Sequence, residues 1–333
     1  MRKPFISSVA LALAVLIATP ALAQLNGENL LGDFGVKSGS QPAPGIYTGF
    51  LYYRYKAKTI KDKNGDDLTL DPEQPGSQTL NAFVPMFIYV SETKLLGGNY
   101  GMMAVVPVAN GGLEAPGFGF ESDIDTGFGD LYVMPFQLGW QKPRADIVTA
   151  FALFAPTGRY EAGGDDNVGK GMWSYEFSAG TTVYFDKAKT LSLATTGFWE
   201  IHTGKSGTGD VTVAGVTLDS VKVGQLLTLE GGFGKSFLEG AASVGMAYYA
   251  QYKLTDDDFG LPGNLPRSPL IGKHRVWAFG PEVTIPLATK TKLISLVDVR
   301  YLWEVGARTK TQGQSLVVTA TFPVPSITIP PRK

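Results

Sequence analysis

The stretch GDDNVGKG (Gly164–Gly171) comes within one residue of a P-loop. In a P-loop, backbone N–H groups and a lysine cradle phosphates while a Ser or Thr hydroxyl holds Mg²⁺. Gly171 stands where that hydroxyl belongs. The motif also needs a buried strand before it and a helix after it, so that the helix N-terminus meets the phosphate. Here FAPTGRY precedes the stretch and MWSYEFSAGTTVYF follows it, and the second alternates like a strand. The stretch is therefore expected to be a surface loop, with Lys170 pairing with loop acids or with lipopolysaccharide phosphates.

A second near-motif, DKNGDDLTLDPE (residues 62–73), sets Asp62, Asn64, Asp66 and Glu73 at positions 1, 3, 5 and 12 of an EF-hand calcium loop. Asp67 falls at position 6, where the sharp turn needs Gly, and both flanks read as strands. A solvated acidic turn outweighs a metal site, and no cofactor is expected.

Catalysis has little to draw on. The chain has no cysteine, so thiol chemistry is excluded. Its two histidines, His202 and His274, lie apart without metal-ligand spacing, and there is no G-x-S-x-G elbow. A lipid-modifying enzyme of the Ser–His kind would have to use one of these histidines. His202, beside Glu200, better suits a hydrogen-bonded interior side chain.

The elements that must position these residues read as strands throughout. In Leu191–His202, Leu191, Leu193, Trp199 and Ile201 share one face; Ser192, Thr196, Glu200 and His202 share the other. In Lys292–Val305, Leu293, Val297, Val299, Tyr301 and Trp303 oppose Asp298, Arg300 and Glu304. Such period-two alternation over more than ten residues fits a membrane strand with lipid outside and a polar lumen inside. Long polar stretches near 59–77, 109–125, 158–171, 204–221 and 255–272, with a shorter one at 306–312, alternate with short turns near 93–98, 141–144, 187–189, 237–239 and 288–291. Six outer loops and five tight turns predict an all-β fold: an antiparallel up-and-down transmembrane barrel of about twelve strands. Glycine and aromatics are abundant (41 Gly, 11% aromatic) and charge is sparse (18%), which fits that architecture.

The N-terminus carries an export signal: Arg2 and Lys3, an apolar run Val9–Ala18, and Ala21-Leu22-Ala23 as the cleavage site. The expected organisation is a signal peptide at 1–23, a periplasmic or lumen segment at 24–43, the barrel at 44–323 and a Pro-rich tail at 324–333. Without Arg2 and Lys3, the 29 basic residues fall to 27 against 30 acidic, a formal net charge of −3. No basic block suggests nucleic acid.

Two features of the expected lumen bear on function. Glu176, Glu200, Glu230, Glu282 and Asp298 fall on polar strand faces, partly balanced by Arg54, Lys56 and Arg300; charges there set pore selectivity or brace the wall. Ala82–Val90, Gly101–Val108 and Ile147–Ala155 are instead apolar on both faces. This makes part of the lumen apolar or covers it with the N-terminal segment.

The blocks PAPGIYTGFLYYRY, TGFGDLYVMPFQLGW, FAPTGRY…NVGKGMWSYEFSAGTTVYFD and YKLTDDD resemble the outer-membrane proteins associated with the meta-pathway of phenol degradation. GDLYVMPFQLGW and APTGRY are the most specific of these. The resemblance covers nearly the whole mature chain. It implies a twelve-stranded barrel and uptake of aromatic or other hydrophobic compounds, and it brings no catalytic residues. The last strand, Ser315–Phe322, ends in an aromatic of the kind the outer-membrane assembly machinery reads, yet PVPSITIPPRK follows it. The expected function is passive passage of a small hydrophobic or aromatic solute along the apolar sector of strands two to five, in contact with outer-membrane lipid and lipopolysaccharide. Arg54, Arg300 and the lumen acids would gate or orient the cargo. The alternatives are a general, mildly cation-preferring pore and an outer-membrane lipid-modifying enzyme.

Overall fold

The computed structural model describes residues 25–69, 75–116, 120–208, 212–213, 216–217, 220–258, 273–289 and 292–324; the signal segment, Glu73 and the tail beyond Val324 lie outside them. The wall is built from β1 (Gly45–Lys61), β2 (Ser77–Leu95), β3 (Gly98–Val105), β4 (Val108–Ala115), β5 (Phe120–Phe128), β6 (Leu131–Gln141), β7 (Ala145–Ala155), β8 (Ser174–Tyr184) and β9 (Leu191–His202). A two-strand hairpin, β10 (Thr212–Val213) and β11 (Val216–Thr217), decorates one loop. The wall continues with β12 (Leu226–Phe237), β13 (Ala242–Lys253), β14 (Arg275–Ala288), β15 (Leu293–Arg308) and β16 (Lys310–Val324).

Every pairing in the wall is antiparallel, and β1 pairs with both β16 and β2, which closes the sheet into a barrel. Closure pairs β1 on both sides and leaves no free edge at the seam. Fourteen segments make twelve wall strands, because β3 with β4, and β5 with β6, are two strands each broken once. Pro107 lacks the N–H that the first would need to run on. Gly129, at the second break, donates its N–H to the Pro107 carbonyl (2.9 Å) instead of to the ladder.

These breaks have a consequence for the wall. β6 pairs with β7, but β5 pairs only with β4 and ends the strand order. The outer edge of β5 is thus not laddered to a neighbouring strand. The stretch 109–125, read from sequence as a long loop, is instead β4 and β5 with only residues 116–119 between them. The stretch 306–312 is likewise a turn on Thr309 (φ 50°). At the opposite end of the barrel Leu96 (φ 52°) and Gly97 (φ 79°) form a two-residue hairpin, the conformation whose twist matches the flanking strands.

Residues 25–41 do not pair with any strand. They run inside the barrel from the rim near Gly45 to Leu25, which packs with Met172, Val221, Val223 and Leu226. Leu31 joins Tyr249, Val276 and Leu302, and Leu30 packs against the cluster of Leu51, Tyr53, Ala82 and Val84. Three leucines of one short segment thus anchor it to three parts of the inner wall.

Candidate functional site

The carboxylates of the wall hold this segment through its backbone. Glu200 on β9 accepts the Glu28 N–H at 2.7 Å. Glu230 on β12 accepts the Gly32 N–H at 2.8 Å and the Phe34 N–H at 3.0 Å. Glu282 on β14 accepts the Val36 N–H at 2.9 Å. From β15, Arg300 Nη1 donates to the Asp33 carbonyl at 2.7 Å and pairs with Asp298 (2.7 Å) and Glu282 (3.5 Å). Backbone N–H groups with no ladder partner must find acceptors when buried, and these side chains supply them. Gly32 lies in the left-handed region (φ 88°). A Cβ on Gly35 would overlap the Glu282 carboxylate, and one on Gly27 that of Glu200. Glycine is what lets the chain approach these acids.

Glu230 is 1% exposed, so Glu230→Ala strands the buried Gly32 N–H, a loss of about 1–3 kcal/mol, and frees the part-buried Phe34 N–H. Trypsin should then cut after Lys37 in folded barrels that resist it in the parent form, with Glu230→Gln intermediate.

The remaining inward acids brace the wall. Glu304 accepts Tyr249 and Tyr55 hydroxyls, both at 2.7 Å, and the Gly313 N–H at 2.7 Å. Glu176 accepts the Tyr132 hydroxyl at 3.3 Å. His202 Nδ1 lies 2.9 Å from Ser174 Oγ, and both residues are at most 2% exposed.

Two expected lumen residues are elsewhere. Arg54 and Lys56 are exposed on the outer face, because on β1 it is Leu51, Tyr53, Tyr55 and Ala57 that point inward. Inside the barrel the Tyr55 hydroxyl reaches Glu304, and the cations take the opposite pleat.

Between the segment and the apolar wall lies a cavity of about 450 Å³, which Glu176, Glu230 and Glu304 also border. Its apolar surface comes mainly from β1 to β7, including Tyr53, Ala82, Val84, Met103, Val105 and Phe154, and from Leu30 and Phe34 of the segment. Tyr132 and Phe154 meet edge to face with centroids 4.8 Å apart. This volume falls in the range that takes small organic ligands. Pro107, Gly129 and Asp130, at the wall breaks, also line it.

GDDNVGKG covers the unladdered edge of β5. Arg159 donates to the Asp125 carbonyl (2.6 Å) and pairs with Asp166, which accepts the Asp125 N–H (2.9 Å). Asn167 ties the loop to Glu161 and Gly164. The N–H groups of Gly158 and Lys170 point at Asp130 Oδ1 (2.9 Å) and Oδ2 (2.6 Å). A carboxylate already sits where a phosphate would bind, and the next element is β8, not a helix. In the loop at 62–69, Asp62 Oδ1 accepts the N–H groups of Asn64, Gly65 and Asp66 (2.8–2.9 Å). That oxygen is turned onto its own turn rather than outward to a cation, and Asp67 pairs with Lys61.

Among the loops, Lys205 Nζ donates to the Lys170 carbonyl at 2.6 Å over the Tyr160 ring. Burial, then the Lys170 charge, lowers its pKa to about 7. The folded loop therefore holds Lys205 neutral above pH about 7, while the unfolded chain stays protonated up to the ordinary lysine value. Loop docking strengthens as pH rises through that window, by up to about 1.4 kcal/mol per unit. Proteolysis of this loop should be slower at pH 9 than at pH 7, and Lys205→Met should remove the difference.

Residues 57–320 match the model of a family described as "Putative MetA-pathway of phenol degradation". No curated protein matches the chain in sequence. Among solved structures it is similar to the COG4313 outer membrane channel from Pseudomonas putida F1, at 12% identity over 89% of this chain and 100% of that one, with a TM-score of 0.66. It is also similar to the β domain of the Bordetella autotransporter BrkA (12%, 85% and 100%, TM-score 0.46) and to the CymD monoaromatic hydrocarbon channel (9%, 86% and 90%, TM-score 0.40). The first of these likenesses supports the twelve-stranded barrel.

Proposed function

The chain belongs to this phenol meta-pathway family, and from that premise we propose that it is an outer-membrane channel for passive passage of small hydrophobic or aromatic molecules. The observation that carries this reading is the apolar cavity between residues 25–41 and the inner face of β1–β7. The polar half of the lumen holds the segment and the apolar half is left open, a division that favours solutes preferring an apolar surface. The cavity also reaches the wall breaks at Pro107 and Gly129, beside the β5 edge that Arg159 and Asp166 cover. An apolar solute leaving there would enter the membrane rather than water.

The alternatives draw less support. In a general pore lined by acids, Glu200, Glu230 and Glu282 would have to face mobile ions, and they are occupied by backbone N–H groups. An enzyme using His202 would need access to a buried Ser–His pair.

The test is flux into liposomes for a panel of aromatic acids, alkanes and sugars of similar size. Aromatic and aliphatic solutes should cross faster than sugars. Equal rates for all three would remove the hydrophobic-cargo reading, and steady ionic conductance without chemical preference would install the general pore.

A further inference from the structure

The outer face of the barrel is electrostatically lopsided at its loop end. Arg54, Lys56 and Lys58 are exposed on β1, and Lys58 sits in a bulge between Ala57 and Thr59 that keeps it outward. On β15 and β14, Arg308 is exposed and pairs across the ladder with Arg275, whose guanidinium lies 5.1 Å over the Trp277 ring. Among the described residues none of these five cations forms an ion pair. The acids of β14 and β15, Glu282, Asp298 and Glu304, point inward, and β1 and the intervening β16 have none. By contrast, β4 and β5 expose Glu114, Glu121, Asp123 and Asp125.

The height of the basic row is set by its neighbours. Lys56 pairs with Gln314, and Gln314 with Trp303, so Lys56 stands in line with an exposed tryptophan on the outer face. Tryptophan and tyrosine girdles mark the level where hydrocarbon gives way to headgroups. Unbalanced cations at that level, on the side where long loops emerge, face the headgroups of the outer leaflet. Arginine forks and lysine ammonium groups are the donors that phosphate oxygens take best.

We propose that Arg54, Lys56, Lys58, Arg275 and Arg308 form a docking surface for the phosphates of lipid A, the anionic glycolipid anchor of the outer leaflet. The row is spread along a flat wall beside Trp277 and Trp303, with no concave nest for a free anion. An amphiphile that can lay acyl chains on the wall and phosphates on the row fits both parts.

The test is binding of bisphosphorylated lipid A to purified barrel in nanodiscs. Arg54→Ser/Lys56→Ser/Lys58→Ser should weaken it at least about tenfold, and adding Arg275→Ser/Arg308→Ser should abolish it. Lys56→Arg/Lys58→Arg should bind as the parent does, which separates lost charge from lost folding. Dephosphorylated lipid A should bind parent and variant alike, and weakly. The proposal is overturned if the serine variants bind as the parent does, or if dephosphorylated lipid A binds as well as the bisphosphorylated form. Displacement by millimolar inorganic phosphate would mark a free-anion site, and equal binding of phosphatidylglycerol a general anionic surface; either also overturns it. Flux of aromatic solutes through the serine variants in liposomes should be unchanged, so the outcome does not depend on what the cavity carries.

Discussion

Deleting residues 25–41 should raise the single-channel conductance at least about tenfold and make the pore cation-selective. The segment fills the polar half of the lumen, and its removal hands Glu200, Glu230 and Glu282 from backbone N–H groups to water. Arg300 would then stand against a surplus of inward acids that includes Glu176, Asp298 and Glu304. Rings of carboxylates favour cations in an open channel. The wall itself should survive, because its ladder is closed through β1 and β16 without the segment. Planar-bilayer recordings with a salt gradient give both readouts. A deletion that leaves conductance and reversal potential at parent values would mean that the segment does not obstruct the lumen.

Ala82→Trp should reduce aromatic-solute flux about tenfold or more while changing small-ion conductance by less than about twofold. Ala82 is 4% exposed and faces the cavity among Leu80, Met86 and Val105. An indole there takes space that a solute needs, at an overpacking cost of about 1–3 kcal/mol. Phe83→Ala, on the outward pleat of the same strand at 45% exposure, should leave flux unchanged. If Ala82→Trp and Phe83→Ala behave alike, the cavity is not on the route.

The barrel was legible because alternation is a local signal. Each of β8, β9 and β15 shows it within a dozen residues, and the short turns separate one hairpin from the next. That the acids turn inward could be read the same way. The partner they bind could not, because NGENLLGDFGVKSGSQ has no period and makes no ladder. Its trace is the run Gly27, Gly32, Gly35 and Gly39, whose spacing makes sense once the wall facing it is known: the Glu200 and Glu282 carboxylates against Gly27 and Gly35, Leu302 against Gly32 and the Thr181 backbone against Gly39. The wall breaks were hidden for a related reason. Polar residues around 109–125 resemble a loop, and only pairing shows that β4 and β5 carry the wall beyond the tight packing of β6 and β7. Arg54 and Lys56 were misplaced because a strand rich in Tyr on one face and Lys or Arg on the other does not say which face is inside. The answer came from Glu304, which takes the Tyr55 hydroxyl from across the β1–β16 seam.

The rungs that hold residues 25–41 follow chain order around the wall: Val36 to β14, then Phe34 and Gly32 to β12, then Glu28 to β9. Arg300 joins the first two rungs, pairing with Glu282 and donating to the Asp33 carbonyl, and Glu200 stands apart from them. Mechanically this is a fastening loaded in peel and not in shear: a pull from the rim near Gly45 first meets the contacts of Gln41 with Gln137, Ser40 with Asp146 and Lys37 with the Gly240 carbonyl, then the Glu282 rung, then Glu230 with Arg300, then Glu200. The segment can therefore be drawn out a few hydrogen bonds at a time, while the wall strands that anchor the rungs stay laddered to one another.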